Sequence, residues 1–202
     1  MKVKVCGMRV KENISQVLKL EPDYMGFIFY ERSKRYVNDL KINDLNFGQT
    51  KRVGVFVNPD SAAVVNKKEE YNLDLIQLHG DEDANFCKDL NDNGHDVMKV
   101  FHVDTDFDMN SINNYKPFCK YFLFDTASEN YGGTGKAFNW DILKEYDNEI
   151  PLFLSGGIGL DNIEEINQLD YLNIQAIDIN SKVEIEPGLK DVKKIKELIS
   201  AV

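Results

Sequence analysis

Eight short apolar runs alternating with eight longer amphipathic stretches predict an α/β protein, a (β/α)8 TIM barrel in one domain spanning residues 1–202. Two further observations support this. The runs are apolar on both faces, as strands covered by helices must be. Each run also ends at a polar or glycine-bearing loop, as the strands of an active barrel do. An open doubly wound sheet is the alternative reading of the same alternation.

The strands are expected over 2–5, 24–29, 52–57, 73–78, 97–103, 121–124, 152–154 and 176–179. Each is rich in β-branched or aromatic residues and short enough to be a strand rather than a buried helix. Helices are expected near 10–20, 38–47, 60–71, 82–93, 108–115, 139–147, 161–168 and 189–201. Asp60-Ser61, Asp81 and Asp161-Asn162 stand where N-caps belong, because their oxygens can accept from the first free backbone N–H groups. At about 25 residues per unit there is no room for a second domain, and the barrel is smaller than most.

Composition bounds the partners. Of 202 residues, 43% are hydrophobic and 29% charged, an ordinary globular balance. The formal net charge of −10 repels phosphate backbones, which argues against nucleic acid. Cys6, Cys87 and Cys119 are odd in number and lack CxxC spacing, which fits a reducing cytoplasm and argues against a disulfide framework or a zinc site. Met1-Lys2-Val3-Lys4-Val5 is no signal-peptide core, and no run approaches a membrane span. No His, Asp and Glu cluster has metal-ligand spacing in the chain, and no metal is expected.

Barrel active sites form at the carboxyl ends of the strands. Cys6, Arg35, Asn58, His79, Asp125, Ser155-Gly156-Gly157 and Asp178 all follow a predicted strand and should share one face. By position alone Cys6 reads as a small buried hydrophobe. Gly7 behind it permits a sharp turn, and positive charge nearby could ionise the thiol into a base. Asp125 ends the apolar run Tyr121-Phe122-Leu123-Phe124, where desolvation favours the protonated acid. A cap role is its alternative. The loop Gly132-Gly133-Thr134-Gly135 follows it and could fold over a ligand. Gly156-Gly157 after the seventh strand and Asp178-Ile179-Asn180-Ser181 after the eighth stand where barrels hold phosphate. In the basic cluster Arg32-Ser33-Lys34-Arg35, one arginine could clamp a carboxylate, with Arg32 and Lys34 solvated. His79 reads as a hydrogen-bonded mouth histidine in a supporting role.

The ordered motifs resemble the phosphoribosylanthranilate isomerase family through nearly the whole chain. They begin with Lys4-Val5-Cys6-Gly7-Met8, then Gly26-Phe27-Ile28-Phe29-Tyr30 with Ser33-Lys34-Arg35-Tyr36. Val53-Gly54-Val55-Phe56-Val57-Asn58 and Ile76-Gln77-Leu78-His79-Gly80 follow. Asp125-Thr126 with Tyr131-Gly132-Gly133-Thr134-Gly135, Phe138-Asn139-Trp140 and Leu154-Ser155-Gly156-Gly157 complete the set. The resemblance implies a cofactor-free Amadori rearrangement of N-(5′-phosphoribosyl)anthranilate in tryptophan biosynthesis, by a monomer or homodimer. It implies Asp125 as general acid and Cys6 as general base. Arg35 would hold the anthranilate carboxylate. Gly156, Gly157, Asp178, Asn180 and Ser181 would bind phosphate, and His79, Gly133 and Gly135 would support the site.

Two positions depart from the family pattern Asp-Val-Ser-Ser-Gly-Val-Glu. Asn180 stands for a serine and Lys182 for a glycine. Lysine would be strained if that glycine needs positive φ, or its ammonium could point at the phosphate. The related isomerase of histidine synthesis, with an aspartate base and two half-repeats, fits less well because Cys6 takes that aspartate's place and no half-repeat is visible. A non-catalytic phosphate-binding barrel is the reading from another class, distinguished by binding without turnover.

Overall fold

The computed structural model describes residues 1–126 and 140–202. Eight parallel strands pair in sequence order and close on themselves. They are β1 (Lys2–Val5), β2 (Tyr24–Ile28), β3 (Lys51–Phe56), β4 (Leu75–Leu78), β5 (Val97–Val103), β6 (Tyr121–Thr126), β7 (Leu152–Leu154) and β8 (Ile174–Ile179). The predicted barrel is therefore the fold, and the open sheet is excluded by the β1–β8 ladder.

Strand alternation sorts the side chains into two cores. The larger lies between the sheet and its outer layer, with Val3, Val5, Met25, Phe27, Ile76, Phe122 and Leu152 facing out of the barrel. A smaller cluster of Tyr24, Val53, Leu75, Met98, Val100, Leu123, Phe153 and Ala176 fills the interior. Tyr24 and Tyr121 meet Phe153 edge-on at 5.0 and 5.2 Å, plugging the interior below the mouth. A packed floor forces any ligand to bind at the carboxyl ends.

The outer layer is less helical than the sequence predicts. Helices α1 (Lys11–Leu18), α2 (Ser61–Tyr71), α3 (Ala84–Asp92), α4 (Ile163–Ile166) and α5 (Val192–Ala201) form. Asp60 caps α2 as expected, accepting from the Ala63 amide. The cap of α3 is Asp83, not Asp81. The expected helix over 38–47 is absent. Asn38, Asp39, Asn43, Asp44 and Asn46 compete for backbone groups there, and Asn46 accepts from the Gly48 amide in a turn. Val37 and Ile42 still bury, so the segment seals the barrel without a helical ladder. Met109–Tyr115 and Trp140–Glu145 are 3-10 segments, the first carrying three asparagines. The last predicted helix begins late because Glu184–Glu186 (β9) and Leu189–Lys190 (β10) form an antiparallel hairpin first.

The closing ladder carries a charge pair. Lys4 on β1 lies opposite Asp178 on β8, and Lys4 Nζ donates to Asp178 Oδ2 at 2.7 Å. Lys4 is fully buried and Asp178 is 7% exposed, so neither charge is stable there without the other. Lys4→Met should cost about 3–5 kcal/mol in urea unfolding, because it strands a buried carboxylate. The double variant Lys4→Met/Asp178→Leu should recover most of that loss. Equal instability of the single and double variants would remove the pair as the reason Lys4 is required.

Candidate active site at the barrel mouth

Cys6 follows β1, and its amide donates to Ile179 of β8 at 2.9 Å. Gly7 adopts φ +73°, and a Cβ there would meet the Arg35 side chain at 2.6 Å and Asn180 Oδ1 at 2.8 Å. Only glycine allows both the turn and that approach. On β2, a Cβ at Gly26 would lie 2.8 Å from Cys6 Sγ, so this glycine makes the room the thiol occupies. Cys6 is 4% exposed. Burial pushes its thiol up from the ordinary value, while Lys4, through charge and a hydrogen bond, and Lys190 pull it back down.

Across the mouth, Asp125 near the end of β6 is buried. Its Oδ2 lies 3.6 Å from His79 Nε2, and its ladder partner on β5 is His102. The two histidine rings meet at 5.1 Å. His79 Nδ1 bonds Gln77 Nε2 at 3.0 Å. Burial, with His102, Lys4 and Lys99 adding positive field, holds His79 well below its usual pKa and therefore neutral. Glu82 braces the turn behind His79. Its carboxylate accepts from the Asn58 and Gly80 amides and from Lys99, and Lys99 also donates to the Gly80 carbonyl. Asn58 thus belongs to the scaffold, paired with Asp81 rather than facing a ligand.

Arg35 stands at the mouth, while Arg32 and Lys34 are exposed, as expected of a solvated loop. Its Nε and Nη2 donate to the two oxygens of Glu184 at 2.8 and 2.6 Å. That bidentate pair orients the guanidinium and leaves its remaining donors for a ligand. Glu184 in turn accepts from Lys190 at 2.7 Å. Lys190 Nζ also donates to Asn180 Oδ1 at 2.6 Å. Burial lowers its pKa to about 8, against the pull of Glu184.

The phosphate candidates divide. Gly156 and Gly157 both adopt positive φ, 99° and 66°, after β7. Ser181 opens a 3-10 turn, Ser181–Val183, after β8. These backbones rim the mouth on adjacent strands. The Asp178 side chain pairs with Lys4 inside the barrel through Oδ2, and a carboxylate offers a phosphate no donor, so a contact from this position would come from its backbone. Asn180 Oδ1 accepts from Lys190, an acceptor contact that does not engage the amide N–H groups through which this side chain would meet a phosphate. Lys182 carries no strain, since its turn is right-handed, and its ammonium pairs with Asp161 at 2.8 Å rather than turning to a ligand. Gly133 and Gly135 lie outside the described residues.

Four polar residues of the site escape sequence reading. Lys4 carried a signal: it alternates with Cys6 and is flanked by Val3 and Val5, which turns it inward. Glu184 and Lys190 arrive through a hairpin whose second strand falls where a helix over 189–201 is expected. His102 joins His79 and Asp125 with ligating atoms mutually within 4.8 Å, a grouping in space where the chain shows no metal-ligand spacing in sequence. Three different strands supply them, so no local spacing could show it. Cys87 and Cys119 share a thiol hydrogen bond away from the mouth, which with burial raises Cys119.

A family model described as N-(5′-phosphoribosyl)anthranilate (PRA) isomerase matches residues 3–201. The chain belongs to the phosphoribosylanthranilate isomerase family. It is thus an isomerase of the aldose–ketose class, of a family that serves tryptophan biosynthesis. A relative from Parabacteroides distasonis, named N-(5′-phosphoribosyl)anthranilate isomerase, is 43% identical over 99% of this chain and 92% of its own. The phosphoribosyl anthranilate isomerase of Thermotoga maritima superposes with a TM-score of 0.85 at 31% identity, covering 100% and 98% of the two chains. A second solved structure, a phosphoribosyl anthranilate isomerase in complex with reduced 1-(o-carboxyphenylamino)-1-deoxyribulose 5-phosphate, has a TM-score of 0.81, 29% identity and coverage of 100% and 97%.

The electrostatics of Cys6 yield a test that needs no substrate. A thiol raised by burial stays protonated at neutral pH, and its thiolate forms only as pH climbs past the ordinary value of about 8.5. The ultraviolet thiolate absorbance lost in Cys6→Ser should therefore titrate above that value. Lys190→Met should move it higher still, since a cation that favours the thiolate is gone. A midpoint below 8 would contradict this account of the thiol.

Proposed function

We propose that this chain converts N-(5′-phosphoribosyl)anthranilate to 1-(2-carboxyphenylamino)-1-deoxy-D-ribulose 5-phosphate, with Asp125 as general acid and Cys6 as general base. The observation that carries it is a buried carboxylic acid and a buried thiol at the ends of β6 and β1. β7 and β8 separate them on one side of the closed mouth and β2 to β5 on the other. A sugar between them is met from both sides.

Asp125 donates its proton to the ribose ring oxygen. The C1′–O bond breaks as the anthranilate nitrogen lone pair forms a C=N bond, leaving a protonated Schiff base. That cation acidifies the C2′ proton, which Cys6 thiolate removes to give an enolamine. The enolamine becomes the ketone as C1′ gains one proton and the C2′ hydroxyl loses one, so both protein groups return to their starting states. The thiol of the ligand-free protein is protonated. The cation developing on the substrate joins Lys4 and Lys190 in favouring thiolate at the step that needs it.

Recognition follows from charge. Arg35, held by Glu184, offers its remaining donors to the anthranilate carboxylate. The Gly156-Gly157 and Ser181 backbones receive the phosphate. His79, neutral and 3.6 Å from Asp125, supports the acid rather than replacing it. A small-molecule substrate and no cofactor complete the reading, and the chain works as a monomer or homodimer.

Cys6→Ser should leave the fold intact and cut kcat by about 10²-fold or more, the scale of a lost general base. Cys87→Ser is the control and should leave turnover near normal. Asp125→Asn should abolish turnover while a reduced product analogue still binds in calorimetry. Asparagine keeps the shape and cannot give up a proton. Loss of analogue binding in step with turnover would make Asp125 a binding residue. Arg35→Met should raise KM about tenfold or more, the scale of lost charge-assisted bonds. A larger effect of Arg32→Met would show that another arginine reads the carboxylate.

A further inference from the structure

We propose that His79, His102 and Asp125 form a binding site for a divalent transition-metal cation of the zinc type, and that its occupancy shuts the isomerase down. The three residues stand at the carboxyl ends of consecutive strands β4, β5 and β6. One ligating atom from each lies within 4.8 Å of the other two. The His79 Nε2 to Asp125 Oδ2 distance is 3.6 Å. Donors about 2.0–2.2 Å from a tetrahedral Zn2+ stand roughly 3.3–3.6 Å apart, so the site closes by a shift of at most about 1.5 Å on its longest edge.

Four features of the residues favour this cation class. Two imidazoles and one carboxylate make a mixed nitrogen and oxygen donor set, suited to zinc, cobalt or nickel rather than to the oxygen-only preference of magnesium or calcium. His79 Nε2 is buried and makes no hydrogen bond. The other ring nitrogen of His79 lies 3.0 Å from the Gln77 amide, whose oxygen is buried without a partner; with that amide turned over, its oxygen accepts from Nδ1–H and Nε2 is left bare for a metal. Both histidines are only partly buried, so their side chains border solvent from which a cation can arrive. Lys4 and Lys99 add positive field at His79 and oppose the cation, which limits how tightly it is held.

The metal is an inhibitor here and not a cofactor. An oxygen of Asp125 bound to a cation cannot carry the proton that the ribose ring oxygen needs. The inhibition therefore rests on the acid role of Asp125 given above. Binding stands on the geometry alone.

The full chain, stripped with a chelator, would be titrated with Zn2+ by calorimetry and with Co2+ by visible absorption. One equivalent should bind. His102→Ala should weaken it at least tenfold, and His102→Asn is the second variant if the first fails to fold by circular dichroism. Cys6→Ser should bind as wild type does. Absence of saturable binding overturns the site, as does binding indifferent to His102. Binding lost in Cys6→Ser would make it a thiolate site and also overturns the proposal. In the second arm, turnover with saturating Zn2+ is divided by turnover without it for each protein. The ratio should fall at least tenfold in wild type and much less in His102→Ala. Binding without any fall would leave the metal site standing and remove Asp125 as the proton donor.

Discussion

The arrangement depends on a buried ammonium at the seam of the barrel. Lys4 sits where β1 closes on β8, and it answers two needs at once. It neutralises Asp178 across the ladder, and it hydrogen-bonds the Cys6 thiol above it. A lysine with no exposure is unstable in an apolar interior unless anions surround it. Asp178 supplies one such anion permanently, and Cys6 can supply another when it ionises. Closure of the fold and ionisation of the Cys6 thiol thus draw on the same charge.

Two other buried lysine–carboxylate pairs among the described residues work in the loops. Lys99 with Glu82 braces the turns after β3 and β4, and through them His79. Lys190 with Glu184 holds Asn180 on one side and orients Arg35 on the other. The protein carries a net charge of −10, yet its mouth is lined from beneath by ammonium groups. The overall field repels an anionic ligand at long range, and these local cations reverse it at the site. Desolvation makes each pair costly to break, so the loops they hold are fixed in place before a ligand arrives.

Small residues set the remaining geometry. Gly26 is the space that Cys6 fills, and Gly7 lets Arg35 and Asn180 come together over the turn. The lysine at 182 shows the same logic in reverse. The chain there follows a right-handed 3-10 turn, so a side chain is tolerated and finds Asp161 as its partner.

The alternation of apolar runs and amphipathic stretches determined the barrel, and the motifs at the strand ends determined the family and the presence of Cys6, Arg35, His79 and Asp125 at one mouth. Strand period and hydrophobicity are local properties, written within a few residues of the chain. The helical content was less legible, because asparagine and aspartate over 38–47 divert backbone bonds into turns while the apolar residues still bury. Only the tertiary structure decided which charges meet. Asp178 pairs with Lys4, Arg35 is held by Glu184, and His102 stands beside Asp125. Those pairs join residues separated by 174, 149 and 23 positions, and their partners are chosen by barrel closure, strand register and desolvation. None of these is a property of a sequence window, which is why the sequence named the groups and the fold assigned their partners.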